Sequence, residues 1–140
     1  MNVFLDANIL VTVLNKEYPS FPYCARILSL SESKNFQLFT SPLCLAIAFY
    51  FAEKKKGTQL AKENIRELAL RIRICDHRAQ DVKTVLDNKK IFDFEDGLEY
   101  YAAIESRCKC IITNDVNNFY FSDIDILPPK EFLLDYLSAK

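Results

Sequence analysis

Short apolar or β-rich stretches at Val3 to Leu5, Phe36 to Thr40, Arg71 to Cys75 and Cys110 to Thr113 are each divided from the next by segments of helical periodicity. Strands separated in this way cannot pair as hairpins. They need crossover connections, and the economical solution is a mainly parallel sheet with helices on both faces. The expected fold class is therefore α/β, a three-layer α/β/α sandwich. Helices are expected from Ile9 to Leu14, from Phe21 to Leu30 and from Pro42 to about Lys56, the last with Ser41 as cap, Pro42 at the first helical position and Gly57 as stop. Leu60, Ala61, Ile65, Leu68, Ala69 and Ile72 recur at helical spacing, and Val82, Val85 and Leu86 mark a shorter helix. Asp93 opens a helix to about Arg107 in which Leu98, Tyr101, Ala102 and Glu105 share a face, and a last strand at Ile124 to Ile126 precedes a helix from Glu131 to Leu137. With only 2 glycines and 5 prolines, and no linker-like stretch, residues 1–140 read as one domain.

Charge narrows the function classes. Lys and Arg total 18 against 19 for Asp and Glu, so no broad basic surface exists to bind any nucleic acid through its phosphates alone. Any such contact must be local. The longest apolar run, Leu43 to Ala52, is far shorter than the roughly 20 residues of a membrane span. Nothing after Met1 resembles a secretory leader, which sets the expectation of a cytoplasmic protein. The 5 cysteines (Cys24, Cys44, Cys75, Cys108, Cys110) are scattered among apolar neighbours and His77 is the single histidine, a poor set for a zinc site or a histidine-based triad. Cys108 and Cys110 fall on one face of a strand and read as small buried hydrophobes. His77, between Asp76 and Arg78, reads as part of a solvated turn.

In open parallel sheets ligands bind beyond the carboxyl ends of the strands, so the residues that end strands are the first functional candidates. Asp6 ends the first strand and Asp115 follows Cys110-Ile111-Ile112-Thr113. Both should emerge on one edge of the sheet. Asp96, with Asp93 and Glu95 beside it, lies in the first turn of the helix that feeds the strand before Asp115. Three converging carboxylates repel one another unless a cation neutralises them, and Mg²⁺ or Mn²⁺ suits an all-oxygen site. Such an ion can polarise a phosphoryl oxygen and acidify a bound water, which permits phosphodiester hydrolysis without histidine. Each acid alone also fits a plainer role: Asp93 and Asp96 as cap and dipole partners, Asp6 and Asp115 as turn residues. Their combination across three distant segments favours a shared cleft.

Phe4-Leu5-Asp6-Ala7-Asn8, Asp93-Phe94-Glu95-Asp96-Gly97-Leu98, Ile111-Ile112-Thr113-Asn114-Asp115 with Phe119, and Leu127-Pro128-Pro129-Lys130-Glu131-Phe132 together resemble the PIN domain family, in particular its VapC-like toxin branch. The resemblance implies a PIN-like sandwich and a divalent-metal-dependent endoribonuclease, the toxin of a toxin–antitoxin pair blocked by a small antitoxin protein, with RNA as substrate and a homodimeric assembly. It implies Asp6, Asp96 and Asp115 as metal ligands and catalytic acids, with Asn8, Asp93 and Asn114 beside them. The chain departs from the family pattern where Ile47 takes the place of an acid or Asn on the helix after the second strand, and where Asn118 stands before Phe119 in place of Asp. A catalytically weak PIN-fold protein that binds RNA or a protein partner is the alternative. A phosphoacceptor receiver fits less well, since no paired acid adjoins Asp6 and no lysine ends a late strand. Lys54, Lys55 and Lys56 read first as charges complementing a helix C-terminus, and only second as an RNA guide. Tyr100, Tyr101, Phe119, Tyr120 and Phe121 are candidates for base stacking or for core packing, and Phe49-Tyr50-Phe51 for a dimer interface.

Overall fold

The computed structural model describes residues 1–137. Strand β1 (Asn2–Leu5) is followed by helices α1 (Ala7–Asn15) and α2 (Phe21–Ser29), strand β2 (Gln37–Thr40), helices α3 (Pro42–Lys56) and α4 (Thr58–Arg71), and the short strand β3 (Arg73–Ile74). Helices α5 (Ala79–Asp87) and α6 (Phe94–Glu105) then lead to β4 (Cys110–Ile112), β5 (Asp125–Leu127) and helix α7 (Pro129–Tyr136). All strand pairs are parallel and the order across the sheet is β3-β2-β1-β4-β5. With the helices packed around this five-stranded sheet, the α/β/α sandwich expected from the crossovers is what forms.

The chain builds outward from β1 through β2 to β3, then returns to the other side of β1 to lay down β4 and β5. The switch therefore falls between β1 and β4, whose register pairs Val3 with Cys110, Phe4 with Ile111 and Leu5 with Ile112. A crevice opens where the connections diverge. Both strands are apolar throughout because helices cover both of their faces: Val3, Phe4, Leu5, Cys110, Ile111 and Ile112 are all buried. At the edge, β3 exposes Arg73 and Ile74. It is shorter than the segment Arg71 to Cys75 suggested, because Arg71 completes the last turn of α4.

Local caps fix where the helices start. Ser41 accepts a hydrogen bond from the Cys44 amide at 3.1 Å, and Asp93 accepts one from the Asp96 amide at 2.9 Å. Gly57 joins α3 directly to α4 at φ 89°, a left-handed value that glycine adopts without a Cβ clash. The basic run at the end of α3 is structural, although it serves a neighbouring helix. Lys55 Nζ donates to the Asn15 carbonyl at 2.9 Å, and Lys56 Nζ donates to the Leu14 carbonyl and, at 3.1 Å, to Asn64 Oδ1, so both lysines satisfy the C-terminal end of α1.

Several smaller expectations need correction. The buried side of α6 is wider than the stripe Leu98, Tyr101, Ala102 and Glu105: Gly97, Glu99, Tyr100 and Ala103 are buried as well, while Glu105 is exposed and pairs with Arg78 at 3.2 Å. His77 is half-buried, and its Nε2 accepts from the Leu43 amide at 3.4 Å, which makes it a cap of α3 more than a solvated turn. Burial pulls its pKa down. Tyr100 is buried, with its hydroxyl accepting from the Asp123 amide at 3.1 Å, and Phe119 is a core residue. Among the late aromatics, exposure is concentrated at Tyr120, whose ring meets the exposed Phe92 at 5.9 Å between centroids. All five cysteines are buried and free. No helix of the described residues is long and apolar enough to cross a membrane.

Helix α6 carries Asp96, with Asp93 as its cap, and its depth is set at Gly97. A Cβ there would stand 2.6 Å from Val85 Cγ1 and 2.9 Å from Ile91 Cγ2, in the small apolar cluster of Val85, Ile91 and Leu98. Those partners are buried, and valine is stiff at χ1. Gly97→Val should therefore destabilise the fold by about 2–4 kcal/mol through overpacking. Urea unfolding checks this, and an unchanged midpoint would show that α6 can slide without cost.

Candidate metal centre

The carboxyl ends of β1 and β4 are tied together by side chains. Thr113, one residue past β4, donates through Oγ1 to Asp6 Oδ2 at 2.7 Å and accepts from the Asp115 amide at 2.9 Å. Asn8 Nδ2 lies 3.3 Å from Asp6 Oδ2, 3.0 Å from Thr113 Oγ1 and 3.1 Å from Asp115 Oδ2, while its Oδ1 accepts from the Asn114 amide at 3.2 Å. Asp6 Oδ1 is held by the Ala7 amide at 2.6 Å. Asp6 thus caps α1 and keeps its carboxylate fixed toward the crevice. The two uses of the residue are compatible because a carboxylate has several lone-pair sites.

Asp6, Asn8, Asn114 and Asp115 line a cleft of roughly 510 Å³. Its walls bring together Asp6, Asn8, Asp93, Asp96, Asn114 and Asp115, the six residues that the resemblance implied, along with Glu95, Ile47 and Asn118, also noted in the sequence, and Glu99, which was not. Ile47 has one side against the main core and one on the cleft, where it offers no donor atom.

The electrostatics follow from burying acids without bases. Among the described residues, the ion pairs all involve Arg78, outside this cleft. Burial, then Asp93, Asp6, Glu95 and Asp115 in turn, push the Asp96 carboxyl up to about 7. Glu99, only 2% exposed, is driven well above the usual carboxylate range, first by burial and then by its hydrogen bond with Asp6. The Cys44 thiol is pushed up by burial and by the same two acids. Glu99 Oε1 is buried with no hydrogen-bond partner. An oxygen-rich donor set, an orphaned carboxylate oxygen and no neutralising base fit a divalent cation, with Asp6, Asp96 and Asp115 available to hold it.

Glu99 and Cys44 did not stand out in the sequence. The signal for Glu99 was its place one turn beyond Asp96, which puts both on one side of α6. Cys44 gives no sign beyond its position in the first turn of the helix after β2, and it resembles its four apolar counterparts.

A PIN domain family model matches residues 2–117 of this chain. Ribonuclease VapC1 of Aquifex aeolicus is 28% identical over 134 residues, covering 93% of this chain and 92% of that protein. Among solved structures, VapBC-1 from nontypeable Haemophilus influenzae superposes with a TM-score of 0.69 at 18% identity, over 93% of this chain and 99% of that one. VapBC2 from Rickettsia felis, bound to a DNA fragment from its promoter, gives 0.68 at 24% identity, over 91% and 98%. VapC20 of Mycobacterium tuberculosis, a sarcin–ricin loop cleaving toxin, gives 0.61 at 14% identity, over 78% and 86%. These structural likenesses establish the fold.

Two outcomes follow from this geometry. Thr113→Val keeps the shape of the side chain but removes the shorter of the two hydrogen bonds to Asp6 Oδ2, so it should cost about 1–3 kcal/mol of stability and weaken divalent-metal affinity by roughly 10–100-fold. Calorimetric titration with Mn²⁺ reads the second effect, and unchanged affinity would show that Asp6 needs no such anchor. Because the Asp96 pKa is raised on folding, its contribution is fully favourable below the unfolded value of 3.8 and is lost as pH rises toward 7. With metal chelated, Asp96→Asn should raise the melting temperature at about pH 8 and leave it unchanged near pH 3. A parent and variant that melt together at both pH values would contradict that charge cost.

Proposed function

The chain belongs to the PIN domain family, and from that premise we propose that it is a divalent-metal-dependent endoribonuclease, the toxin of a toxin–antitoxin pair. The observation that carries this reading is the set of acids gathered from three distant segments at the ends of β1 and β4, in a cleft where no described base neutralises them. Asp6, Asp96 and Asp115 act as metal ligands and catalytic acids. Asn8 fixes the spacing of Asp6 and Asp115 by its contacts to both. Asp93 holds the first turn of α6, and with it Asp96, through the Asp96 amide. Asn114 lines the rim, its own amide locked to Asn8. When bound, Mg²⁺ or Mn²⁺ supplies Lewis-acid polarisation of the phosphate and a water of lowered pKa. The protein's share is to orient the scissile phosphate above these carboxylates.

The partners in this reading are RNA as substrate, a small antitoxin protein that covers the acidic cleft, and a second copy of the chain. The exposed Tyr50 and Phe51 on α3 support the homodimer. The relative from Aquifex, named a ribonuclease and aligned over nearly its whole length, supports the activity. A weakly catalytic, RNA- or protein-binding variant of the fold is the second reading. Ile47 favours it, since a cleft wall without a donor atom leaves fewer ligands for the ion.

Incubation of the metal-free protein with single-stranded RNA tests both. Cleavage should appear with Mg²⁺ or Mn²⁺, vanish with EDTA, and fall by at least about a hundredfold in Asp6→Asn and Asp115→Asn, each checked for folding by circular dichroism. Cleavage that survives chelation sinks the metal mechanism. RNA binding without cleavage under any metal leaves the second reading.

A further inference from the structure

We propose that Asp6, Cys44 and Glu99 form an inner subsite at the floor of the cleft that takes a borderline-soft divalent cation of the Zn²⁺ type in preference to Mg²⁺. The three side chains come from the end of β1, the first turn of α3 and the second turn of α6. Their ligand atoms all lie within 4.8 Å of one another and all three residues are buried. The donors are thus gathered from three elements around one point.

The independent sign of a ligand is Glu99. Its side chain is almost wholly withdrawn from solvent and reaches the cleft, yet Oε1 has no hydrogen-bond partner. Buried polar atoms are nearly always satisfied; a proton shared with Asp6 serves one side of the Glu99 carboxyl, and the orphaned Oε1 is left for a cation that would displace that proton to solvent. Among the described residues no lysine or arginine supplies one there. A metal ion does.

Donor chemistry selects the ion. Zinc holds thiolate sulfur at about 2.3 Å and carboxylate oxygen at about 2.0–2.2 Å, which puts tetrahedral donors roughly 3.5 Å apart. Two carboxylates and one thiolate make a three-protein-ligand set with a fourth position open toward the cleft, whereas Mg²⁺ demands six oxygens and gains nothing from sulfur. Coordination deprotonates a thiol outright, and the proton passes to solvent. The other cysteines lack this company: among the described residues, Asp6, Cys44 and Glu99 are the one group that meets the geometry. Because Asp6 is shared, an ion in the inner subsite competes for it with Mg²⁺ held by the outer acids Asp96 and Asp115.

The inference rests on reading this cleft as a cation site, but it is tested without RNA. Metal-free full-length protein titrated with Co²⁺, the spectroscopic surrogate of Zn²⁺, should develop a thiolate-to-cobalt charge-transfer band in the near ultraviolet. Cys44→Ser and, as a second substitution, Cys44→Ala should abolish the band and weaken Co²⁺ and Zn²⁺ binding by at least about tenfold, with Mg²⁺ affinity changed by less than about twofold. Glu99→Gln should weaken Co²⁺ by a similar factor. Circular dichroism confirms that each variant is folded. Absence of the band in the parent, or its persistence in both Cys44 variants, overturns the inner subsite even if Mn²⁺ binding and RNA cleavage are intact. A band lost with Cys44 in a protein that cleaves no RNA supports the subsite while rejecting the nuclease reading.

Discussion

The hydrogen bond from Thr113 to Asp6, 2.7 Å long between residues 107 apart in sequence, is the contact on which the site depends. It joins the first residue after β1 to the first after β4, at the point where the direction of the chain across the sheet reverses. Parallel pairing of β1 with β4 sets the two ends level, and Thr113, fully buried, converts that alignment into a fixed carboxylate. Asn8 then reaches from the first turn of α1 to Asp6, Thr113 and Asp115. Without this knot the acids would repel one another toward solvent, since no base among the described residues holds them inward.

The arrangement costs stability in order to keep charge uncompensated. Asp96 at about 7, and Glu99 driven well above the usual carboxylate range, mean that the folded protein holds protons at pH values where the unfolded chain has released them. A protein optimised for stability alone would place a base among these acids, as Arg78 is placed beside Asp81 at 2.9 Å and Glu105 at 3.2 Å on the far side of α6. The contrast within one chain separates a structural use of acids from a functional one. Beside Arg78 the carboxylates are paired; at the ends of β1 and β4 no described base faces them.

Most of the architecture was legible because its period is strong. Strands that are apolar on both faces and helices with Ser41, Gly57 and Asp93 as punctuation leave little choice of element type, and the crossovers leave little choice of sheet. Boundaries were less legible: Arg71 and Ile72 have the β-like look of the following strand, yet the helix of α4 continues through Arg71 because its last turn still has partners on Leu68. At the site, Asp6, Asp96 and Asp115 could be found because strand ends and helix starts are positions with known geometry. Glu99 lies in mid-helix, where an acid ordinarily faces water, and only tertiary packing turns it inward. Cys44 was hidden for the opposite reason, since burial is what a cysteine between apolar neighbours is expected to show.

The lysines decide how a polyanion can approach. Lys55 and Lys56 are the nearest thing to a basic patch in the sequence, and both are spent on the carbonyl end of α1. Lys54 lies over the ring of Tyr50. An RNA phosphate entering the cleft therefore meets carboxylates from α6 and the strand ends, with a net charge of −1 on the whole protein offering no compensating long-range attraction. At separations of a few ångström such like-charge contacts are unfavourable even in water. In the proposed nuclease the cation must then do two things: reverse the sign of the cleft so that a phosphate can bind, and act on that phosphate once it has. Binding and chemistry share one requirement, and the acids that make the empty cleft repulsive are the same ones that make the loaded cleft attractive.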